Sequence, residues 1–143
     1  FLTQALHRDL VAASGDHLAK VINIASIDAL SLSHHETYSY HASKAALVHL
    51  TKRMALRLVG DRIAVTGIAP GAFPSQMNKD ARDAADDMIP FIPARRMGEP
   101  ADMAGAAIFL ASRAGDYVIG STIPVEGGVL LSRPADASVL PLP

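Results

Sequence analysis

Cysteine is absent from the 143 residues, which excludes disulfide scaffolds, thiolate nucleophiles and zinc sites built on cysteine. A surplus of either charge is also missing. Thirteen Lys and Arg stand against fourteen Asp and Glu, for a net charge of -1. With no basic excess to neutralise phosphates, neither a nucleic acid nor an anionic membrane is an expected partner. No apolar run approaches the roughly 20 residues that a membrane-spanning helix needs, and there is no internal repeat. The N-terminus, Phe1-Leu2-Thr3-Gln4, has neither a Met nor the pattern of a signal peptide. It opens inside an amphipathic pattern, so a truncated chain is expected, and the lack of cysteine suits a reducing, cytoplasmic setting. What is present is 50% apolar and 19% charged, a globular balance at a length suited to one domain.

The hydrophobic pattern alternates between helix and strand. Leu2, Ala5, Leu6 and Leu10 lie on one face of a helix over 1–13, ended by Ser14-Gly15-Asp16. The β-branched run Lys20 to Ser26 reads as a strand buried on both faces. A polar loop, Asp28 to Glu36, leads to a long helix over about 37–59 that Gly60-Asp61 stops. Arg62 to Ile68 reads as a second buried strand, cut off by Ala69-Pro70-Gly71. The stretch 74–99 reads as a long loop with short helical pieces, and loops of that length tend to be functional. Glu99-Pro100-Ala101-Asp102 opens another helix, with Asp102 at its positive end. Ser121 to Val125 reads as a third strand, placed at a sheet edge because Pro124 cannot donate to a ladder. A domain over 1–132 and a flexible tail over 133–143 complete the expectation. Such alternation is the signature of an α/β fold with a parallel sheet, whose chemistry sits beyond the carboxyl ends of the strands.

Two of those ends carry informative residues. Tyr40 and Lys44 are four apart on a helix and so share a face. A phenol is a poor proton donor or acceptor near neutrality, but a nearby cation favours its phenolate and suits it to acid/base work. The spacing alone is weak evidence, since such a pair also arises by chance on a solvated face. Ser26 strengthens it: it ends a strand only 14 residues before Tyr40, so both hydroxyls can converge on one substrate oxygen. The bland alternative is a serine that merely turns the chain.

Five motifs in order resemble the short-chain dehydrogenase/reductase family over nearly the whole chain. They are Asn23-Ile24-Ala25-Ser26, Tyr40-His41-Ala42-Ser43-Lys44, Ile68-Ala69-Pro70-Gly71, Arg96 to Asp102, and Gly120 to Gly128. The resemblance implies a partial Rossmann-like, doubly wound parallel sheet, of which this is the C-terminal catalytic half. It implies a hydride-transferring oxidoreductase using NAD or NADP on a small carbonyl or alcohol substrate. Tyr40 would be the acid/base, Lys44 would tune it and hold the nicotinamide ribose, and Ser26 would hydrogen-bond the substrate oxygen. Pro70 and Gly71 would lie against the nicotinamide, Phe73 would offer its backbone N–H to the carboxamide, and Ser75 would touch the diphosphate. Residues 68–77 most resemble 3-oxoacyl reductases, including the rhamnolipid-pathway branch. A homo-oligomer is implied, because the family packs its Tyr-bearing helix against a partner's.

Two departures qualify the resemblance. The gap between Ser26 and Tyr40 is one residue longer than usual, and the family's N-terminal half, with its glycine-rich phosphate turn, has no counterpart in these residues. Two rivals therefore stand beside the enzyme: an inactive truncated fragment, and a nonenzymatic binding or scaffold module. No metal site is expected. His34-His35 lack a completing shell, His41 and His49 read as surface or interface residues, and Arg82, Asp83, Asp86 and Asp87 read as a solvated helical face.

Overall fold

A computed structural model describes residues 1–33, 36–74 and 85–132. The N-terminal helical stretch is two pieces, α1 (Leu2–Ala5) and α2 (His7–Ala13). The single helix expected there is interrupted at Leu6, whose ψ of 6° leaves the helical range. Then follow β1 (Ala19–Ile24), α3 (Tyr38–Leu58), β2 (Ile63–Pro70), α4 (Ala85–Met88), α5 (Pro100–Ala111) and β3 (Thr122–Val125). The strands form one parallel sheet in the order β1-β2-β3. Ala19 is opposite Ile63 and Ile24 opposite Ile68 in the first pairing, while Gly67 meets Thr122 and Pro70 meets Val125 in the second.

Helices cover both faces, as a doubly wound sheet requires. On one face Ala19, Ile63, Val65 and the α3 residue Ala55 form a buried cluster, joined by Leu10 from α2. On the other, strand alternation places Ala64, Thr66 and Ile68, all buried, beneath α5. Lys20 shares that second face, and its ammonium reaches Asp116, just past α5, at 2.6 Å. Ile63, Val65 and Ile68 are each 0% exposed, and burying side chains of this size stabilises by roughly 1.5–3 kcal/mol apiece. The central strand thus supplies the largest share of the core.

Three expectations need adjustment. β1 is only partly covered, with Ile24 exposed, because among the described residues no strand lies on its outer side. β2 continues through Ala69 and Pro70 instead of ending at Ile68. Pro70 is tolerated because it is the last residue of the strand. The residue that ends the α3 region in a left-handed conformation is Arg62, at φ 61°, not Gly60. Its guanidinium donates to the Gly15 carbonyl at 2.8 Å, which ties the turn down. Among the described residues Pro124 does lie on an edge strand, as expected.

Candidate active site

The first turns of α3 run over the carboxyl end of β1. Lys44 Nζ donates to the Ile24 carbonyl at 3.0 Å, and Ile24 is the last residue of that strand. The same ammonium lies 5.6 Å from the centroid of the Tyr40 ring, within the range of a cation–π contact. Helix pitch stacks Tyr40 and Lys44, and the strand end pins the lysine. Ser26 is two residues beyond Ile24 and buried. Its Oγ accepts the Asp28 N–H at 3.1 Å and caps a 3-10 turn, Ile27–Ala29, against which α3 packs. The serine therefore does turn the chain. Its hydroxyl proton makes no hydrogen bond within the described residues and remains available to donate.

The ends of β2 and β3 build a second group. Gly71 N–H donates to the Val125 carbonyl at 2.9 Å, and a Cβ on Gly71 would lie 2.6 Å from Glu126 Cβ and 2.8 Å from its Cα. Only glycine allows the two chains to pass so closely. Phe73 lies over Gly98, where a Cβ would lie 2.4 Å from the ring. Phe73, Arg96, Gly98, Asp102, Val125 and Glu126 help line a cavity of about 100 Å³. Arg96 grips Asp102 with both terminal nitrogens, at 2.7 and 2.9 Å, while Asp102 also accepts the Glu99 N–H at 2.8 Å. The guanidinium first, and that N–H second, hold the Asp102 carboxyl well below the usual carboxylate range. The same pairing pushes Arg96 upward. This clamp fixes the start of α5.

Tyr40, Lys44 and Ser26 are thus gathered at one strand end, and Pro70, Gly71 and Phe73 at the next. No hydrogen bond among the described residues joins Tyr40 to Ser26, and Tyr40, Lys44 and Ser26 do not line the Phe73 cavity. Ser75 lies outside the described residues, as do His34, His35 and the tail 133–143. Among the described residues no three His, Asp or Glu side chains cluster to hold a metal, and no helix is long and apolar enough to cross a membrane. Sequence reasoning missed the Ile24 carbonyl as the seat of Lys44 and the contacts of His41 with the loop after Ser26. The His41 side chain is 18% exposed, while His49 is exposed.

A family profile described as "Enoyl-(Acyl carrier protein) reductase" matches residues 1–130. The chain belongs to the short-chain dehydrogenase/reductase family, and its layered sheet is part of that family's Rossmann-type fold. It is 44% identical over 120 residues to the rhamnolipids biosynthesis 3-oxoacyl-[acyl-carrier-protein] reductase of Pseudomonas aeruginosa, covering 82% of this chain and 47% of that one. It is 38% identical over 134 residues to the 5-keto-D-gluconate 5-reductase of Escherichia coli, covering 92% of this chain and 51% of the relative. Among solved structures, the Pseudomonas aeruginosa RhlG/NADP active-site complex superposes with a TM-score of 0.82 at 41% identity, over 89% of this chain and 51% of that one. A gluconate 5-dehydrogenase from Burkholderia cenocepacia, in complex with NADP and tartrate, gives a TM-score of 0.82 at 36% identity, over 92% and 51%. The chain spans about half the length of these relatives.

Proposed function

We propose that these residues form the proton-transfer half of an oxidoreductase that interconverts a carbonyl and an alcohol with NAD or NADP. The observation that carries the reading is the Lys44 ammonium, held on the Ile24 carbonyl beside the Tyr40 ring and two residues from Ser26. The donor set fits the nicotinamide end of such a cofactor, since a fixed cation and a phenol suit a ribose diol, and the Gly71 turn leaves backbone close by. When bound, the cofactor supplies the hydride that reduces the carbonyl carbon, or accepts it in reverse. Tyr40 gives its phenolic proton to the carbonyl oxygen, and Ser26 donates a hydrogen bond to the same atom. Lys44 holds the ribose and keeps a positive charge beside the phenol. Phe73 would offer its backbone N–H to the carboxamide, and Ser75, outside the described residues, would hold the diphosphate.

The 44% identity to a 3-oxoacyl-[acyl-carrier-protein] reductase, against 38% to a 5-keto-D-gluconate 5-reductase, favours a 3-oxoacyl substrate over a sugar acid. The test uses a protein carrying this chain, NADPH deuterated at C4 and a 3-oxoacyl thioester. One deuterium on the carbinol carbon of the product supports the reading. Consumption of neither reactant, with the gluconate ketone equally inert, would end it.

A second reading, that the 143 residues alone do not turn over, is favoured by two observations. The Gly-x-x-x-Gly-x-Gly spacing of a phosphate cradle does not occur in the sequence, and the outer edge of β1 has no neighbour among the described residues. Self-association is supported by the apolar stripe of Ala42, Ala45, Ala46, Leu50 and Leu56 on α3, all exposed. Elution of a turnover-competent form as a monomer in size-exclusion chromatography would contradict it.

A further inference from the structure

His41, next to Tyr40 in the chain, has both ring nitrogens engaged in a way the acid/base chemistry does not use. Its Nδ1 lies 2.9 Å from the Thr37 carbonyl and 3.1 Å from Thr37 Oγ1. A carbonyl only accepts, so Nδ1 carries the proton and donates. That leaves Nε2 as the acceptor of the neutral ring, and the Ser33 hydroxyl stands 3.1 Å from it. Nε2 also faces the Asp28 carboxylate at 3.9 Å, with the two side chains 18% and 21% exposed. Asp28 is the residue whose N–H holds Ser26 Oγ at 3.1 Å. The His41 ring therefore bridges α3 to Ser33 by hydrogen bonds and packs beside Asp28, whose N–H in turn donates to Ser26.

We propose that His41 is a positioning residue: it clamps the loop 28–33 onto α3 and so fixes the Ser26 hydroxyl relative to Tyr40. The proposal rests on the reading of Ser26 and Tyr40 given above. The backbone bonds of the loop are internal, from the Ala29 N–H to the Ser26 carbonyl and from the Leu30 and Ser31 N–H groups to the Ile27 carbonyl. Leu30 and Leu32 are exposed, so the His41 contacts are what ties it by hydrogen bond to α3. The ring suits the task because one nitrogen grips the helix while the other, about 2 Å away across the imidazole, serves the loop. Glutamine places an amide near the Nε2 position, whereas leucine keeps the bulk and loses both polar contacts.

Hydrogen exchange at the Asp28 amide reads the clamp directly, whether or not the protein turns over. In His41→Leu that amide exchanges at least tenfold faster, while the amides of Thr51 and Ala55 in the body of α3 keep their rates. His41→Gln restores protection. Ser33→Ala, which removes the hydroxyl on Nε2 and leaves α3 intact, accelerates the same amide and provides the reading if His41→Leu unfolds. Unchanged Asp28 exchange in either folded variant overturns the proposal. In a turnover-competent protein, His41→Leu lowers kcat about tenfold with the KM for NADPH unchanged, and His41→Gln recovers it. Absence of turnover in the wild type would instead count against the oxidoreductase reading, leaving the exchange result to decide the clamp.

Discussion

Thr51 and Thr122 are chemically identical side chains with opposite circumstances. Thr51 Oγ1, in a residue 1% exposed, donates to the Leu47 carbonyl at 2.8 Å and accepts the Asn23 amide at 2.9 Å. Thr122 Oγ1 is buried with no hydrogen-bond partner among the described residues. Removing the first hydroxyl strands the Asn23 donor, and a stranded buried polar group costs about 1–3 kcal/mol. Removing the second strands nothing. Urea denaturation should therefore show Thr51→Val destabilised by about that amount, with Thr122→Val neutral or more stable. A second contrast is pH-dependent. Asp102 is held below its ordinary pKa by Arg96 and the Glu99 N–H, and Asp61 and Asp116 are lowered by His7 and Lys20 respectively. A depressed carboxylate contributes stability above its unfolded pKa, about 3.9 for aspartate, and loses it as pH falls through the folded value. Asp102→Asn should melt earlier than the wild type at pH 7, and the gap should narrow as pH falls below about 4. A constant gap would mean the carboxylate charge is not what Arg96 and the helix start use.

At the scale of elements, Gly71 shows how tightly the ends of β2 and β3 are joined. Its neighbour is Glu126 backbone, with 2.8 Å from a new Cβ to Cα, so nothing flexible can yield. Gly71→Ala should cost about 1–3 kcal/mol, as overpacking generally does, measured by chemical denaturation. Gly98→Ala meets a Phe73 ring that can swing aside, so it should cost less and instead displace Phe73. The sequence reveals elements whose cause is local. The 3.6-residue period of α3, the β-branched runs of β1 and β2, and the proline that consigns β3 to an edge all survive in the structure. Tyr40 and Lys44 were legible because helix pitch alone brings them together. What could not be read depends on distant neighbours. Partial exposure of β1 reflects the lack of an outer strand among the described residues, extension of β2 through Pro70 reflects pairing with Val125, and the half-burial of His41 reflects a loop folded back from Asp28 and Ser33. The glycine cues were half right: Gly60-Asp61 marks where α3 ends, yet the left-handed residue is Arg62, held by a carbonyl 47 positions away in the chain.

For the whole molecule, three parallel strands with α2 and α3 on one face and α5 on the other suffice to bring a phenol, an ammonium and a serine hydroxyl to one strand end. The Rossmann-type layering and family membership follow from the match over residues 1–130 and from the superpositions. The proposed chemistry depends most on Tyr40. The decisive measurement is carbonyl reduction by the Tyr40→Phe variant of a turnover-competent protein carrying this chain, with NADPH binding followed in parallel. Phenylalanine keeps the ring beside Lys44 and removes the hydroxyl that donates the proton. A loss of about 10²–10⁴-fold in kcat is predicted, with cofactor affinity changed by no more than a few-fold. Turnover at the wild-type rate in that variant would contradict the account.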